Sequence, residues 1–183
     1  LQGISEKNIE EHLKLYQGYV KHTNLILEKL SKYSQDTEAY TYELGELYRR
    51  FSFEFNGMKN HEYYFEQLQG GAVALDPSSV LAEKITTSFG SFELFLEQFK
   101  NLALTRGVGW AVLSYDTDTD HLIIHWIDEQ HLGHLNSNRF IFGIDMWEHA
   151  YVADYHPSGK KQYINDYLNQ VNWNHVAKRL ISN

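Results

Sequence analysis

Apolar residues recur at steps of three and four near the start of the chain, which is the spacing of one face of an α-helix. Between Ile4 and about Leu30 this stripe is formed by Ile9, Leu13, Tyr16 and Val20. A polar break over residues 31–36 follows. We therefore predict a long first helix that ends near Leu30.

A second helical stripe begins at Tyr40 and continues to Phe51. Because the connection between the two stripes is short, the two helices are expected to be antiparallel. Asn56-Gly57 predicts a bend, after which helical spacing resumes near His61 and ends at a pair of glycines. The N-terminal part of the chain is thus predicted to be a helical hairpin.

Beyond a linker-like stretch over 70–79, the pattern changes from helical to alternating spacing. The predicted elements are helices over 80–89 and 91–104, strands over 110–115, 121–127 and 140–144, and a helical C-terminus from Trp147 with a break at Pro157. We predict an α+β fold, in which an N-terminal antiparallel helical hairpin (1–75) precedes a mixed lobe (76–183). That lobe should contain a three-stranded antiparallel sheet with flanking helices.

Composition narrows the classes of function. The chain has 183 residues, of which 43% are apolar and 22% charged, as in an ordinary compact protein. No apolar run approaches the about 20 residues of a membrane-spanning helix, so a soluble protein is expected. The lack of cysteine and of a signal-peptide pattern favours the cytoplasm. The absence of cysteine excludes disulfides and thiolate metal sites. A net charge of -8 argues against nucleic acid as a partner.

Three places in the sequence carry side chains suited to metal binding. Asp145 ends an apolar strand and His149 follows four residues later, while His12 and His61 lie on separate helical stripes rich in aromatic residues. Taken singly, Asp145 is more simply a helix cap and each histidine a packed core residue. Taken together, three imidazoles and one carboxylate form a ligand set that suits iron or manganese. The resulting positive site would attract a small anion.

These residues also carry a family resemblance. The segment 145–151, Asp-Met-Trp-Glu-His-Ala-Tyr, resembles the D-x-W-E-H-A-Y signature of iron/manganese superoxide dismutases. Four further segments are similar to motifs of that family, in the same order along the chain: His12 through Tyr19-Val20 to Asn24, Phe55-Asn56-Gly57 with Asn60-His61, Gly107-Val-Gly-Trp110, and Asn172-Trp173. The resemblance covers nearly the whole chain.

The resemblance implies a superoxide dismutase with one iron or manganese ion per subunit, which converts two superoxide anions to dioxygen and hydrogen peroxide. It implies a homodimer or a dimer of dimers. The roles that it implies are metal ligation by His12, His61, Asp145 and His149; a gateway phenol at Tyr19; an outer-sphere group at Gln130 or His131; apolar walls at Trp110 and Trp147; an interface residue at Glu148; and substrate steering by Lys14 and by Lys160 or Lys161.

Three departures from the family pattern lead to separate expectations. The step from His12 to Tyr19 is one residue shorter than usual, so either the helix lacks a local bulge or the phenol is rotated. Leu15 and Val152 replace both halves of a polar bridge across the family's dimer interface, which leaves Glu148 and packing to hold that interface. The glycine-rich motif before His61 is shortened, which should alter how its helix begins.

Two alternatives to the enzyme remain at this stage. The chain could keep the fold as an inactive structural or interaction subunit, although such a subunit has no need for four ligands. A non-haem iron oxygenase uses two histidines and one carboxylate, and a fourth protein ligand leaves too few open positions for its substrates. Metal analysis separates the first alternative from the enzyme. The ligands alone do not discriminate iron from manganese.

Overall fold

The computed structural model describes residues 1–181. Its helices are α1 (Glu6–Tyr33), α2 (Thr41–Glu66), α3 (Val80–Phe89), α4 (Phe92–Ala103), α5 (Lys160–Leu168) and α6 (Trp173–Ile181). Its strands are β1 (Gly109–Asp116), β2 (His121–Asp128) and β3 (Asn138–Asp145). The predicted α+β class is confirmed, with a helical hairpin followed by a three-stranded sheet and flanking helices. The domain division at residue 75 stays a prediction.

Helix α1 begins at a serine cap and is longer than predicted. The Ser5 hydroxyl accepts a hydrogen bond from the backbone N–H of Asn8 at 3.1 Å, which satisfies a donor that the first turn leaves free. The helix continues to Tyr33, past the predicted end near Leu30. The polar residues there do not stop it, because nothing in the sequence 31–33 disfavours helical backbone.

Helix α2 is one uninterrupted helix, so the predicted bend at Asn56-Gly57 is wrong. The Asn56 side chain donates to the Ser52 carbonyl at 2.7 Å, one turn back along the same helix. The shortened motif therefore lies in mid-helix, and the expectation that it changes the start of the helix is also wrong. His61 therefore lies on the same uninterrupted helix as the residues before Asn56.

The buried face of α1 is not the apolar stripe that the spacing indicates. Its buried residues include Asn8, His12 and Thr23 beside Ile26, whereas Leu13 is 36% exposed. Polar groups are buried only where partners or ligands compensate for lost hydration. The orientation of α1 is therefore a first structural sign that this face borders a functional site.

The sheet has the strand order β2-β1-β3, with both pairs antiparallel. In this register Trp110, near the start of β1, pairs with Asp145, the last residue of β3. Behind the sheet, aromatic side chains of α4 and α6 form the core; Phe99 and Trp173 each lie 5.0 Å from Phe142 between ring centroids. This packing fixes the sheet edge where Asp145 emerges.

The chain after β3 is less helical than predicted. Glu148–Ala150 and Pro157–Gly159 form single 3₁₀ turns, and regular helix resumes only at α5. His149 thus lies in a single 3₁₀ turn and not at the start of an α-helix. The Asp145 carboxylate accepts a hydrogen bond from the backbone N–H of Trp147, just before this turn. Within residues 1–181 no helix has the length and apolar character needed to cross a membrane.

Candidate metal centre

Four side chains from four different elements converge at one buried point. His12 comes from α1, His61 from α2, Asp145 from the end of β3 and His149 from the turn that follows. The Nε2 atoms of the three imidazoles lie 3.0, 3.5 and 3.1 Å from Asp145 Oδ2, in that order. One ligand atom from each residue lies within 4.8 Å of every other. We call these residues the tetrad.

The turn after β3 places the last two members of the tetrad. Asp145 Oδ1 accepts a hydrogen bond from the backbone N–H of Trp147 at 2.8 Å, which turns the chain sharply. The other carboxylate oxygen remains available for the imidazoles. Asp145 is therefore not a helix cap: one of its oxygens closes a turn on the backbone of Trp147, and the other is free to be a metal ligand. Tyr163 also donates to the Asp145 carbonyl at 3.0 Å and supports this turn from α5.

Burial and mutual contact set the charge state of the tetrad. Burial disfavours a charged imidazole, so the pKa of His61 falls to about 3 and that of His12 is also lowered, although Asp145 opposes both shifts. Burial would raise the pKa of Asp145, but His149 and His12 outweigh it and hold that pKa well below its usual range. Neutral imidazoles and an ionised carboxylate are the forms that bind metal ions.

The hydrogen bonding of His61 tests whether the tetrad fits a cation. Its Nδ1 lies 2.6 Å from the Gly57 carbonyl oxygen, which can only accept, so Nδ1 carries the proton. Nε2 is then a bare lone pair, and it is buried with no hydrogen-bond partner among the described residues. It faces a carboxylate oxygen at 3.5 Å, an unfavourable pairing unless a cation lies between them. The residues present fit a bound metal ion.

The same groups predict how the metal-free protein responds to acid. Unfolded histidine has a pKa of about 6.5, whereas folded His61 stays neutral down to about pH 3. The unfolded state therefore binds more protons between these limits, and we expect the free energy of unfolding to fall as the pH drops from about 6.5 towards 3, by up to about 1.4 kcal/mol per pH unit for each such imidazole. Urea unfolding at several pH values measures this.

Two variants assign that pH dependence. His61→Gln should flatten the curve, because the group that resists protonation is gone. His22→Ala, at an exposed position on α1, should leave the curve as it is in the wild type. An unchanged slope in His61→Gln would refute the assignment.

A chain of hydrogen bonds connects the tetrad region to a tyrosine. Trp110 Nε1 donates to Gln130 Oε1 at 2.9 Å, and Gln130 Nε2 donates to the Tyr19 hydroxyl at 3.0 Å. Asn60 donates to the Gln130 carbonyl at 3.1 Å. The amide of Gln130 is fully buried and its orientation is fixed at both ends. The sequence named Gln130 and His131 as alternatives for the outer-sphere group. The Gln130 side chain bonds Tyr19, whereas the His131 ring packs 5.5 Å from the ring of Phe53.

Tyr19 reaches the site from an unbroken α-helix. Seven residues are close to two turns, about 7.2 residues, so Tyr19 lies on the same face of α1 as His12, and the helix contains no bulge. Its ring centroid is 5.0 Å from that of His61. Burial and the Asp145 and Glu54 carboxylates raise the pKa of Tyr19 well above its usual value, with Arg50 opposing. The phenol stays protonated at neutral pH.

Space for the Tyr19 ring depends on a glycine. A Cβ atom added to Gly57 would lie 2.5 Å from the ring of Tyr19. Gly57 also supplies the carbonyl that orients His61. The Asn-Gly pair that the spacing suggested as a bend therefore serves the site by its lack of a side chain.

Indole rings border two of the imidazoles. The Trp110 ring is fully buried and lies 5.1 Å from His61, and the Trp147 ring stacks 5.7 Å from His149. Trp147 is held by a hydrogen bond to the Glu129 carbonyl at 3.0 Å. Each of these two indole rings therefore contacts one imidazole of the tetrad.

The remaining predicted residues lie outside this inner group. Lys14 is exposed and paired with Glu11 at 2.7 Å, and Lys160 donates to the Thr105 carbonyl at 2.8 Å. Lys161 and Glu148 are exposed in the single chain.

Sequence reasoning missed several residues that surround the site. They are Tyr163, which supports the Asp145 backbone, and Arg50, Phe53 and Glu54, which lie beside Tyr19. The helical spacing of the last three with His61 on α2 was a usable signal that the predicted bend obscured.

Comparison with known proteins agrees with this geometry. The sequence model described as "Iron/manganese superoxide dismutases, C-terminal domain" matches residues 77–179. An iron superoxide dismutase of Pyrobaculum aerophilum is 35% identical over 174 residues, which cover 92% of this chain and 80% of that protein. One of Saccharolobus solfataricus is 33% identical over 181 residues, with 97% and 85% covered. The chain belongs to the iron/manganese superoxide dismutase family.

Proposed function

We propose that the protein removes superoxide at the tetrad, with His12, His61, Asp145 and His149 as the ligands of one iron or manganese ion. The observation that carries the proposal is the convergence of three Nε2 atoms on one buried carboxylate oxygen. Family membership supplies the reaction, the dismutation of two superoxide anions to dioxygen and hydrogen peroxide. When bound, the metal ion provides the reversible one-electron couple that this reaction needs.

The chain's own residues govern the proton side of the reaction. Each hydrogen peroxide takes up two protons, so a protonated donor beside the site is required. Tyr19 accepts a hydrogen bond from Gln130 and keeps its own O–H proton, which it can then donate towards the tetrad. Trp110 fixes the Gln130 amide so that its N–H group, and not its oxygen, faces Tyr19. These are positioning and proton-holding roles.

The assembly that we propose is a homodimer or a dimer of dimers, with Glu148 at the interface. Glu148 is exposed in the single chain, as are the apolar side chains of Leu15 and Val152, at 40% and 44%. Exposed apolar residues beside a charged one suit a surface that a second subunit covers. The cytoplasmic location stays a prediction.

Metal content and activity, measured on one purified sample, test the proposed function. We expect close to one iron or manganese ion per chain and rapid superoxide removal that is lost on chelation and restored by reloading. Reloading with each metal separately shows which one supports turnover, and light scattering gives the number of subunits. A folded protein that binds neither metal would contradict the enzyme and favour the inactive subunit.

A further inference from the structure

An arginine lies on the exposed side of α2, one aromatic ring away from Tyr19. The Arg50 guanidinium carbon is 3.8 Å from the centroid of the Phe53 ring. The Phe53 ring is in turn 6.0 Å from that of Tyr19, and Tyr19 is 5.0 Å from His61. Exposure falls along this series, from exposed Arg50 through partly buried Phe53 and Tyr19 to fully buried His61. Arg50 is thus joined to the tetrad by a continuous series of ring contacts that begins at the protein surface.

Arg50 is paired with a carboxylate that is more buried than the guanidinium itself. Arg50 Nε and Nη2 bond Glu54 Oε1 at 2.9 and 2.8 Å. The Glu54 side chain is only 9% exposed, whereas that of Arg50 is 45% exposed. An anion in solution therefore meets the guanidinium before the carboxylate. The pair also holds Arg50 against Phe53 and limits its rotamers.

A local cation is needed because the chain as a whole repels anions, with a net charge of -8. Lys14 and Lys160 were the predicted sources. The first is paired with an exposed glutamate, and the second donates to a backbone carbonyl and lies over the Trp126 ring. Arg50 contacts Phe53 directly.

We infer that Arg50 attracts the superoxide anion towards the surface beside Phe53 and Tyr19. Glu54 holds the Arg50 side chain in place and partly offsets its positive charge. This inference rests on the proposed function. It assigns substrate guidance to α2, where the sequence assigned it to lysines on α1 and near α5.

Arg50→Gln tests the inference against a matched control. At low ionic strength we expect kcat/KM for superoxide to fall about threefold, and its decline with added salt to become shallower. Arg49→Gln removes the same charge from the neighbouring position, where the side chain is 70% exposed and paired with Glu46 at 2.7 Å. It should leave both values close to those of the wild type. Arg50→Lys keeps the charge and should restore the salt dependence.

Glu54→Gln should change kcat/KM in the opposite direction to Arg50→Gln. The amide can still accept from Arg50 but no longer offsets its charge, so kcat/KM at low ionic strength should rise. The association rate of azide with the metal-loaded protein, followed by absorbance, provides a readout other than turnover and should change in the same directions.

These measurements distinguish a failure of the proposed function from a failure of the role of Arg50. An inactive, metal-loaded wild type would overturn the proposed function itself. An active wild type with Arg50→Gln indistinguishable from Arg49→Gln, in both salt dependence and azide association, would overturn only the role of Arg50.

Discussion

His12→Ala is expected to abolish stoichiometric metal binding and to lower superoxide removal by at least about 100-fold. His12 is fully buried and its Nε2 lies 3.0 Å from the Asp145 carboxylate, so no other described side chain occupies its place in the tetrad. Its removal leaves a cavity where an imidazole stood, and two imidazoles with one carboxylate hold the ion far less tightly. Metal per chain, by mass spectrometry, and superoxide removal measure the effect.

Two controls separate ligand loss from unfolding. His22→Ala makes the same change ten positions along the same helix, on its exposed side, and should keep full metal content. His12→Gln retains most of the side-chain volume, so its far-ultraviolet circular dichroism should match that of the wild type while its metal content falls. Full metal occupancy in a folded His12→Ala protein would show that the tetrad is not the metal centre.

Gly57→Ala is expected to damage both stability and activity. The added Cβ would lie 2.5 Å from the Tyr19 ring, well inside contact distance, so either the ring moves or the two helices separate. Forcing a methyl group into a packed region costs about 1–3 kcal/mol of unfolding free energy. Because Tyr19 would also leave its hydrogen bond with Gln130, activity should fall more than metal content.

Gly45→Ala is the matched control, since it makes the same substitution in the same helix. A Cβ at Gly45 meets nothing within 4 Å, so here only backbone propensity changes. Alanine is the better helix former by about 1 kcal/mol, and we expect this variant to be slightly more stable than the wild type. Thermal unfolding of both variants decides the matter. If Gly57→Ala were as stable and active as Gly45→Ala, the close fit between α2 and Tyr19 would be refuted.

Much of the fold was predictable because the relevant patterns are local. The strands at 110–115 and 121–127 were located to within a residue or two, since alternation and turn residues mark them directly. Helix α3 was predicted at its observed bounds, and the structure shows Ser79 as its N-cap and Gly90 at its end. The buried face of α1 was not predictable in this way, because three of its four buried residues are polar and one of these, His12, belongs to the tetrad.

The candidate site was likewise predictable only in part. The sequence supplied the four candidate ligands, three histidines and one aspartate, because ligand chemistry depends on residue type. Each of them taken singly had a simpler structural explanation, and only the fold brings them within 4.8 Å of one another. The sequence did not decide between Gln130 and His131, because neighbouring residues on a turn point in different directions. Only the hydrogen bonds of Gln130 with Trp110 and Tyr19 show which side chain lies beside the site. The position of Arg50 beside Phe53 could not be predicted from the sequence either, because it depends on how the side chains pack.

The sequence by itself indicated the order and type of most elements of this protein, its thiol-free candidate ligands and its family resemblance. These properties follow from residue type and from spacing along the chain, and neither requires knowledge of distant contacts. Only the tertiary structure decided that α2 continues without a break through Asn56-Gly57, that Gly57 makes room for Tyr19, and that Arg50 lies against Phe53, next to Tyr19. Those features arise where elements far apart in sequence meet, and side-chain direction there is set by packing.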